Sequence, residues 1–161
     1  MWATSGPKTS SRFSKTAIVP NDRDADALAR RVAAAMYERD VAAQAFGIEI
    51  RHVREAHAEL TMTVRADMLN GHAIAHGGLV FALADTAFAY ACNSRNEPTV
   101  ALQCSISFSR PAREGDVLTA TADERARSRR TSTYDVTVID AEGKVVALFR
   151  GTGYRRDGTY L

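Results

Sequence analysis

The sequence predicts an α+β fold in which an antiparallel sheet wraps around one buried helix. Residues 77–93 are apolar on nearly every side, which is typical of a helix that is surrounded by protein. Six other segments have the β-branched residues and partial alternation of strands, two before this helix and four after it. Runs of strands with one segregated helix indicate an α+β architecture with an antiparallel sheet.

The chain before the buried helix predicts two further helices and a pair of strands. Capping and acidic residues at 21–26 are followed by apolar residues at helical spacing, up to about Tyr37–Arg39. Asp40 is placed to cap a shorter helix, VAAQAF, which Gly47 ends. GIEIRHVRE and HAELTMTV then predict two antiparallel strands joined near Ala56, and ADMLNGHAIA predicts a loop.

Four strand-like segments follow the buried helix: TVALQCSISFSRPA, DVLTATADERA, RTSTYDVTVIDA and KVVALFRGTGYRR. Turns at residues 114–116 and 141–143 separate some of them. A six-stranded sheet can cover the helix from three sides, and the fourth side needs another cover. A second copy of the chain is the expected cover, so we expect a homodimer or a larger assembly.

The composition is that of one globular domain. The formal net charge of +2 does not call for nucleic acid, and the apolar run at 79–92 is too short to span a membrane and contains an acid. Residues 1–20 show no periodicity and no long apolar stretch. We expect them to be a disordered tail or a cloning remnant, with a targeting segment as a further alternative, and a single domain over 21–161. Cys92 and Cys104 lie in apolar runs, so we expect free thiols in a cytoplasmic protein.

One long motif carries a resemblance to a known family. Residues 70–87 have the pattern N-G-H-x3-H-G-G-x2-F-x-L-A-D-T-A, and DTAFAYACNS continues it. This string resembles the hotdog-fold acyl-CoA thioesterases of the phenylacetic acid degradation type, over roughly residues 24–156. The resemblance implies hydrolysis of phenylacetyl-CoA and its ring-hydroxylated relatives in phenylacetate degradation. It also implies no metal or other cofactor, and homotetramers built as dimers of dimers.

The motif residues suggest how a thioester could be hydrolysed. Negative charge develops on the carbonyl oxygen, and the start of the helix offers free N–H groups, with that of Gly77 as the expected oxyanion donor. His76 is expected to polarise the thioester and Asn70 to orient the carbonyl or a water, two roles that the sequence leaves interchangeable. Asp85 is the expected catalytic carboxylate, as general base or as nucleophile, because an acid in an apolar segment is costly without a role. Thr86 could hydrogen-bond a water or that carboxylate.

The spacing of Gly77 and Asp85 predicts a site shared between two chains. Eight residues separate them, which is roughly 12 Å along a helix. Both groups must come within hydrogen-bond reach, about 3 Å, of one thioester. A two-fold dimer with antiparallel helices places Gly77 of one chain opposite Asp85 of the other. Each dimer then holds two composite sites, and a monomer should be inactive.

Acyl-CoA carries phosphates, so basic side chains are expected at the mouth of the site. Arg110 and Arg113, at the end of a strand beside a turn, are the candidates. A second group of arginines surrounds a predicted hairpin tip and is more typical of a solvated turn: Arg125, Arg127, Arg129 and Arg130.

Other readings compete with thioester hydrolysis. His72 and His76 have a spacing that can bind a metal in a helix. Nearby glycines indicate a loop instead, and no third ligand is apparent. His72 is expected to shape that loop. A hotdog hydratase or dehydratase on 3-hydroxyacyl thioesters also needs a histidine and an acid. A non-catalytic acyl-CoA sensor would keep the cavity and could dispense with Asp85. Nucleic-acid binding ranks last because the net charge is near zero.

Overall fold

The computed structural model describes residues 22–161. The expectation for residues 1–20 lies outside this range. The elements follow in the predicted order: α1 Asp22–Tyr37, α2 Val41–Phe46, β1 Glu49–Arg54, β2 His57–Thr63, α3 Gly77–Asn93, β3 Thr99–Phe108, β4 Val117–Arg127, β5 Thr131–Ile139 and β6 Val145–Arg155.

The six strands form one antiparallel sheet in the order β1-β2-β4-β5-β6-β3. β3 follows α3 directly in the chain but pairs with β6, so it lies at an edge of the sheet. Helix α3 packs across the sheet against β2, β4, β5, β3 and β6. The predicted α+β class and the hotdog arrangement of a sheet around a central helix are therefore confirmed.

The core lies between α3 and the sheet. Leu83, Ala84 and Ala87 of the helix are fully buried. The Phe88 ring packs edge-on to Tyr134 with the ring centroids 5.7 Å apart. Gly153 of β6 allows this ring to lie close to the strand, because a Cβ there would come within 2.6 Å of Thr99 Cγ2 and 3.4 Å of Phe88 Cζ.

The short helix and the loop before α3 show what local sequence signals determine. Asp40 caps α2 by accepting the N–H of Ala43 at 3.0 Å, and Gly47 ends it in the left-handed region at φ 66°. The segment 66–75, predicted as a loop, contains the 3-10 helix Ala66–Met68 and a bridge between Leu69 and Ala75. This segment therefore has regular hydrogen-bonded structure immediately before α3.

The C-terminal end of α3 is fixed by paired polar groups. Asn93 accepts the Thr99 N–H at 2.7 Å and the Tyr160 hydroxyl at 3.0 Å, and its amide donates to Ala89 O and Thr99 O. Arg95 donates to Glu55 at 2.6 Å and to Glu124 at 2.7 Å. These bonds join the end of the helix to β3, to the β1–β2 turn and to the last residues of the chain.

The edge of the sheet that β3 forms has a different character. Leu102 and Phe108 of this strand remain 63% and 54% exposed.

None of the helices within residues 22–161 is long and apolar enough to cross a bilayer.

Candidate active site

The loop before α3 is folded tightly around Asn70. Its Oδ1 accepts the N–H of His72 at 2.8 Å, and its backbone carbonyl accepts the N–H of Ala73 at 3.0 Å. The N–H of His76 then donates to Met68 O at 2.8 Å. Asn70 therefore has a structural part in this turn. The turn places His76 at the first turn of the helix, and both His76 and His72 are exposed.

His76 is the N-cap of α3. Its Nδ1 accepts the N–H of Gly78 at 3.0 Å, so the ring nitrogen left to face solvent or a ligand is Nε2. The cap occupies one of the free N–H groups at the start of the helix. The N–H of Gly77 has no acceptor among residues 22–161, and it remains available, at the positive end of the helix dipole, for an oxygen that gains negative charge.

An open cleft of about 440 Å³ lies at this end of α3. It brings together three of the residues predicted from the sequence, Asn70, Gly77 and Arg110. Phe108 also lines it, and its ring Cζ lies 3.0 Å from the position that a Cβ on Gly77 would take. A side chain at 77 would therefore crowd this ring and the N–H beside it, and the half-exposed ring would have to shift to make room.

Asp85 lies outside this cleft, two turns further along α3. It is half-buried, and its Oδ1 lies 3.7 Å from the thiol sulfur of Cys104. Burial raises the pKa of the Asp85 carboxyl above its ordinary value, and the thiol hydrogen bond opposes this in part. The hydroxyl of Thr86 donates to Ala82 O at 2.7 Å, so its proton is taken up within the helix and only its oxygen can still accept from a water.

Strand β3 runs alongside α3 and meets it at the two positions of interest. Phe108 contacts Gly77, and Cys104 contacts Asp85. Four strand residues span roughly 13 Å and eight helix residues roughly 12 Å, so the two spacings match. Sequence reasoning missed both β3 residues, although alternation along the second half of the strand places Cys104, Ile106 and Phe108 on one face.

One chain does not bring the two halves of the predicted site together. The Gly77 N–H faces the cleft at the start of α3, and the Asp85 carboxylate points to β3 two turns away. The separation of roughly 12 Å exceeds the reach of one thioester carbonyl. A site that used both groups would need a second copy of the chain.

The two candidate arginines differ in position. Arg110 lines the cleft, whereas Arg113 lies outside it and anchors the following turn through its N–H, which donates to Asp116 at 2.7 Å. The arginines around the β4–β5 hairpin mostly pair with acids of the same surface, as expected for a solvated turn: Arg125 with Asp135, Arg127 with Glu97 and Arg130 with Asp157.

Possible metal ligands and the two cysteines are the remaining groups that the sequence analysis considers. No group of three His, Cys, Asp or Glu side chains within residues 22–161 is arranged to hold a metal ion. Cys92 and Cys104 are free thiols, as predicted, the first buried and the second half-buried.

The sequence is similar to one family model and to known proteins. The family model of the thioesterase superfamily matches residues 72–147, which include His76, Gly77 and Asp85. The acyl-coenzyme A thioesterase PaaI of Escherichia coli strain K12 is 53% identical over 125 residues, which cover 78% of this chain and 89% of that protein.

Solved structures show the same similarity. That of the E. coli PaaI protein, from the phenylacetic acid degradation operon, has a TM-score of 0.82 at 51% identity and covers 83% of this chain and 97% of that chain. A mutant of the phenylacetic acid degradation protein PaaI from Thermus thermophilus has a TM-score of 0.69 at 46% identity, covering 71% and 97%. A Streptococcus mutans protein bound to acetyl CoA has a TM-score of 0.67 at 27% identity, covering 70% and 90%.

Proposed function

Since this chain belongs to the PaaI family of acyl-CoA thioesterases, within the thioesterase superfamily, we propose that it hydrolyses phenylacetyl-CoA and ring-hydroxylated phenylacetyl-CoA to the free acid and CoA, in phenylacetate degradation. The observation that carries this proposal is the unpaired N–H of Gly77 in an open cleft at the start of a buried helix. A carbonyl oxygen bound there gains negative charge where the helix dipole stabilises it.

The position of the carbonyl oxygen determines which side chains can contact the bound thioester. With the oxygen on the Gly77 N–H, the amide of Asn70 is a polar group of the same cleft. His76, at the adjacent N-cap, is not among the residues that line the cleft, and its Nε2 is the ring nitrogen that stays free, since Nδ1 already accepts a bond. The exposed ring of Phe108 lies against Gly77 and borders the bound thioester. Arg110 lines the same cleft and is placed to contact the phosphates of CoA.

The carboxylate comes from a second subunit in this proposal. The edge strand β3 carries exposed apolar side chains, and the backbone groups on its outer side pair with no other strand of residues 22–161. Such an edge favours pairing with another copy. A two-fold axis beside β3 sets two α3 helices antiparallel, with the partner subunit's Asp85 opposite Gly77. The homodimer then has two composite sites, and two dimers form the proposed homotetramer.

Asp85 completes the reaction by one of two routes. As a general base it takes a proton from a water that attacks the carbonyl carbon, and the thiol of CoA leaves. As a nucleophile it attacks the carbon itself, CoA leaves, and water hydrolyses the resulting mixed anhydride. A single turnover in ¹⁸O-water separates the routes, because only the second can leave ¹⁸O in the Asp85 carboxylate.

The substrate and the assembly are tested together. CoA release is measured with phenylacetyl-CoA, hydroxyphenylacetyl-CoA and straight-chain acyl-CoAs, for wild type, Asp85→Asn and the surface control Asp157→Asn. We expect fast turnover of the aryl thioesters, lost in Asp85→Asn and kept in the control. Mixing inactive Gly77→Val with inactive Asp85→Asn should restore activity, since one site of a mixed dimer is intact.

Three results would contradict the proposal. Faster CoA release from straight-chain acyl-CoAs than from the aryl thioesters would contradict the proposed aryl specificity. Binding of the thioesters without release of CoA would favour a sensor, and an enoyl-CoA panel would then test for a hydratase. No activity in the mixed sample would place the whole site in one chain. The two free thiols suit the cytoplasm, where we place this reaction.

A further inference from the structure

The carboxylate of Asp85 accepts one hydrogen bond from the part of the chain that the structure describes. The donor is the thiol of Cys104 on β3, whose sulfur lies 3.7 Å from Oδ1. Cys104 pairs in register with Gly151 of β6, which is buried on the helix side of the sheet. The thiol therefore points from the strand to the helix, and the two side chains meet at a fixed register.

No other neighbour within residues 22–161 can take over this role. The hydroxyl proton of Thr86 goes to Ala82 O. The pKa of Cys92, the other thiol near Asp85, is raised by burial and by the charge of that carboxylate. Its own proton is donated to Ala89 O at 3.4 Å. No charged side chain of residues 22–161 is among the hydrogen-bonding partners of Asp85, so within these residues the thiol contact is the one fixed point of the carboxylate.

The thiol is suited to be a donor and not a nucleophile. Burial and the nearby Asp85 carboxylate raise the pKa of Cys104 to about 11. At neutral pH the sulfur therefore keeps its proton and can donate it. A cysteine nucleophile would need the opposite, a lowered pKa that supplies thiolate.

We propose that Cys104 is a positioning residue for thioester hydrolysis: its thiol holds Oδ1 of Asp85 and thereby presents Oδ2 to the substrate. Oδ2 is then the atom that takes the proton from water, or that attacks the carbonyl carbon. This inference rests on the proposed thioesterase activity and adds a group that acts on it from an edge strand.

The first test uses variants of Cys104 in the assembled enzyme. Cys104→Ala removes the donor and Cys104→Ser retains one. Ser105→Ala is the matched control, since Ser105 is the exposed neighbour on the same strand. The readout is the pH dependence of kcat/KM with phenylacetyl-CoA.

The direction of the expected shift follows from the charge. A hydrogen bond to the ionised carboxylate lowers its pKa, so losing the donor raises that pKa. The acid limb of Cys104→Ala should move to higher pH by about half a unit to one unit, the scale of one weak bond to a charged group. Cys104→Ser should restore the limb, and Ser105→Ala should leave it in place.

The second test needs no activity. The S–H stretching band of Cys104, assigned by its loss in Cys104→Ala, should lie at lower frequency in wild type than in Asp85→Ala, because a hydrogen bond weakens the S–H bond. The proposal requires both results, and an acid limb or a band that does not move overturns it. Failure of the thioesterase proposal is distinct, since wild type would then release no CoA from any thioester.

Discussion

The polar groups at the two ends of α3 differ in whether they are hydrogen-bonded. At the C-terminal end, Asn93 and Arg95 are both paired through several hydrogen bonds to other elements. At the N-terminal end, the N–H of Gly77 has no acceptor within residues 22–161, and Phe108 is half exposed beside it. Since buried polar groups must be paired and solvated ones need not be, one end stabilises the fold and the other is open to a ligand.

Asp85 belongs to neither end, and its place between them explains its chemistry. It is buried enough for its pKa to rise, yet it has only a thiol as a fixed partner among residues 22–161. A structural acid at this depth would be expected to have strong partners, as Glu124 has in Arg95 and Tyr134. Substitutions along α3 should therefore separate turnover from stability.

The largest effect is expected at Asp85. Asp85→Asn should lower kcat by about 10²- to 10⁴-fold, the usual contribution of a general base, while the melting temperature and the assembly stay near those of wild type. In wild type, activity should fall as the pH drops through the pKa of Asp85, which burial raises above its ordinary value. Steady-state kinetics and a thermal melt check this, and near-normal turnover would remove Asp85 from the mechanism.

The next effect falls on stability at the opposite end of the helix. Asn93→Ala removes a buried side chain that accepts two hydrogen bonds and donates to Ala89 O, Thr99 O and Cys92 Sγ. We expect the free energy of unfolding to fall by about 2 to 4 kcal/mol, because backbone groups of Thr99 lose their partners. Urea unfolding measures this, with the exposed Thr159→Ala as control, and kcat of the folded variant should stay unchanged. A loss of kcat without a loss of stability would reverse the roles of the two ends.

A smaller effect is expected where Phe108 meets Gly77. Gly77→Ala keeps the N–H but places a methyl 3.0 Å from the ring Cζ, so the ring must move. We expect kcat to fall about 10-fold, which corresponds to about 1.4 kcal/mol. The double variant Gly77→Ala with Phe108→Ala tests the cause, because removing the ring should return part of the loss. If only KM rises, Gly77 contributes to binding and not to the transition state.

These regions also differ in how far the sequence predicts them. The bounds of α3 follow from the apolar run that begins at Gly77, and the cap of α2 follows from Asp40 and Gly47, since these signals are local. The expectation that Gly77 and Asp85 are too far apart to meet within one chain follows from helix geometry alone. Local pattern and elementary geometry therefore account for the fold class and for the distance between Gly77 and Asp85 along one helix.

The contacts of β3 could not be obtained in this way. Strict alternation from Thr99 predicts that Gln103 faces the helix, but a bulge between Ala101 and Gln103 shifts the register and turns Cys104 inward. The capping bond from Gly78 to His76 likewise depends on the ordered turn before the helix. Alternation shows which residues of β3 share a face, but which face meets the helix depends on the bulge and on long-range packing.

The smallest effect distinguishes the two arginines that the sequence treats as equivalent. Arg110 lines the cleft and Arg113 does not, so Arg110→Ala should raise KM about three- to five-fold with kcat unchanged, the scale of an exposed ion pair of about 1 kcal/mol or less. Arg113→Ala is the matched control and should stay near wild type. With phenylacetyl-pantetheine, which lacks the CoA phosphates, the effect of Arg110→Ala should disappear. If it persists, Arg110 contacts the acyl or pantetheine part and the open end of α3 binds its substrate in a different orientation.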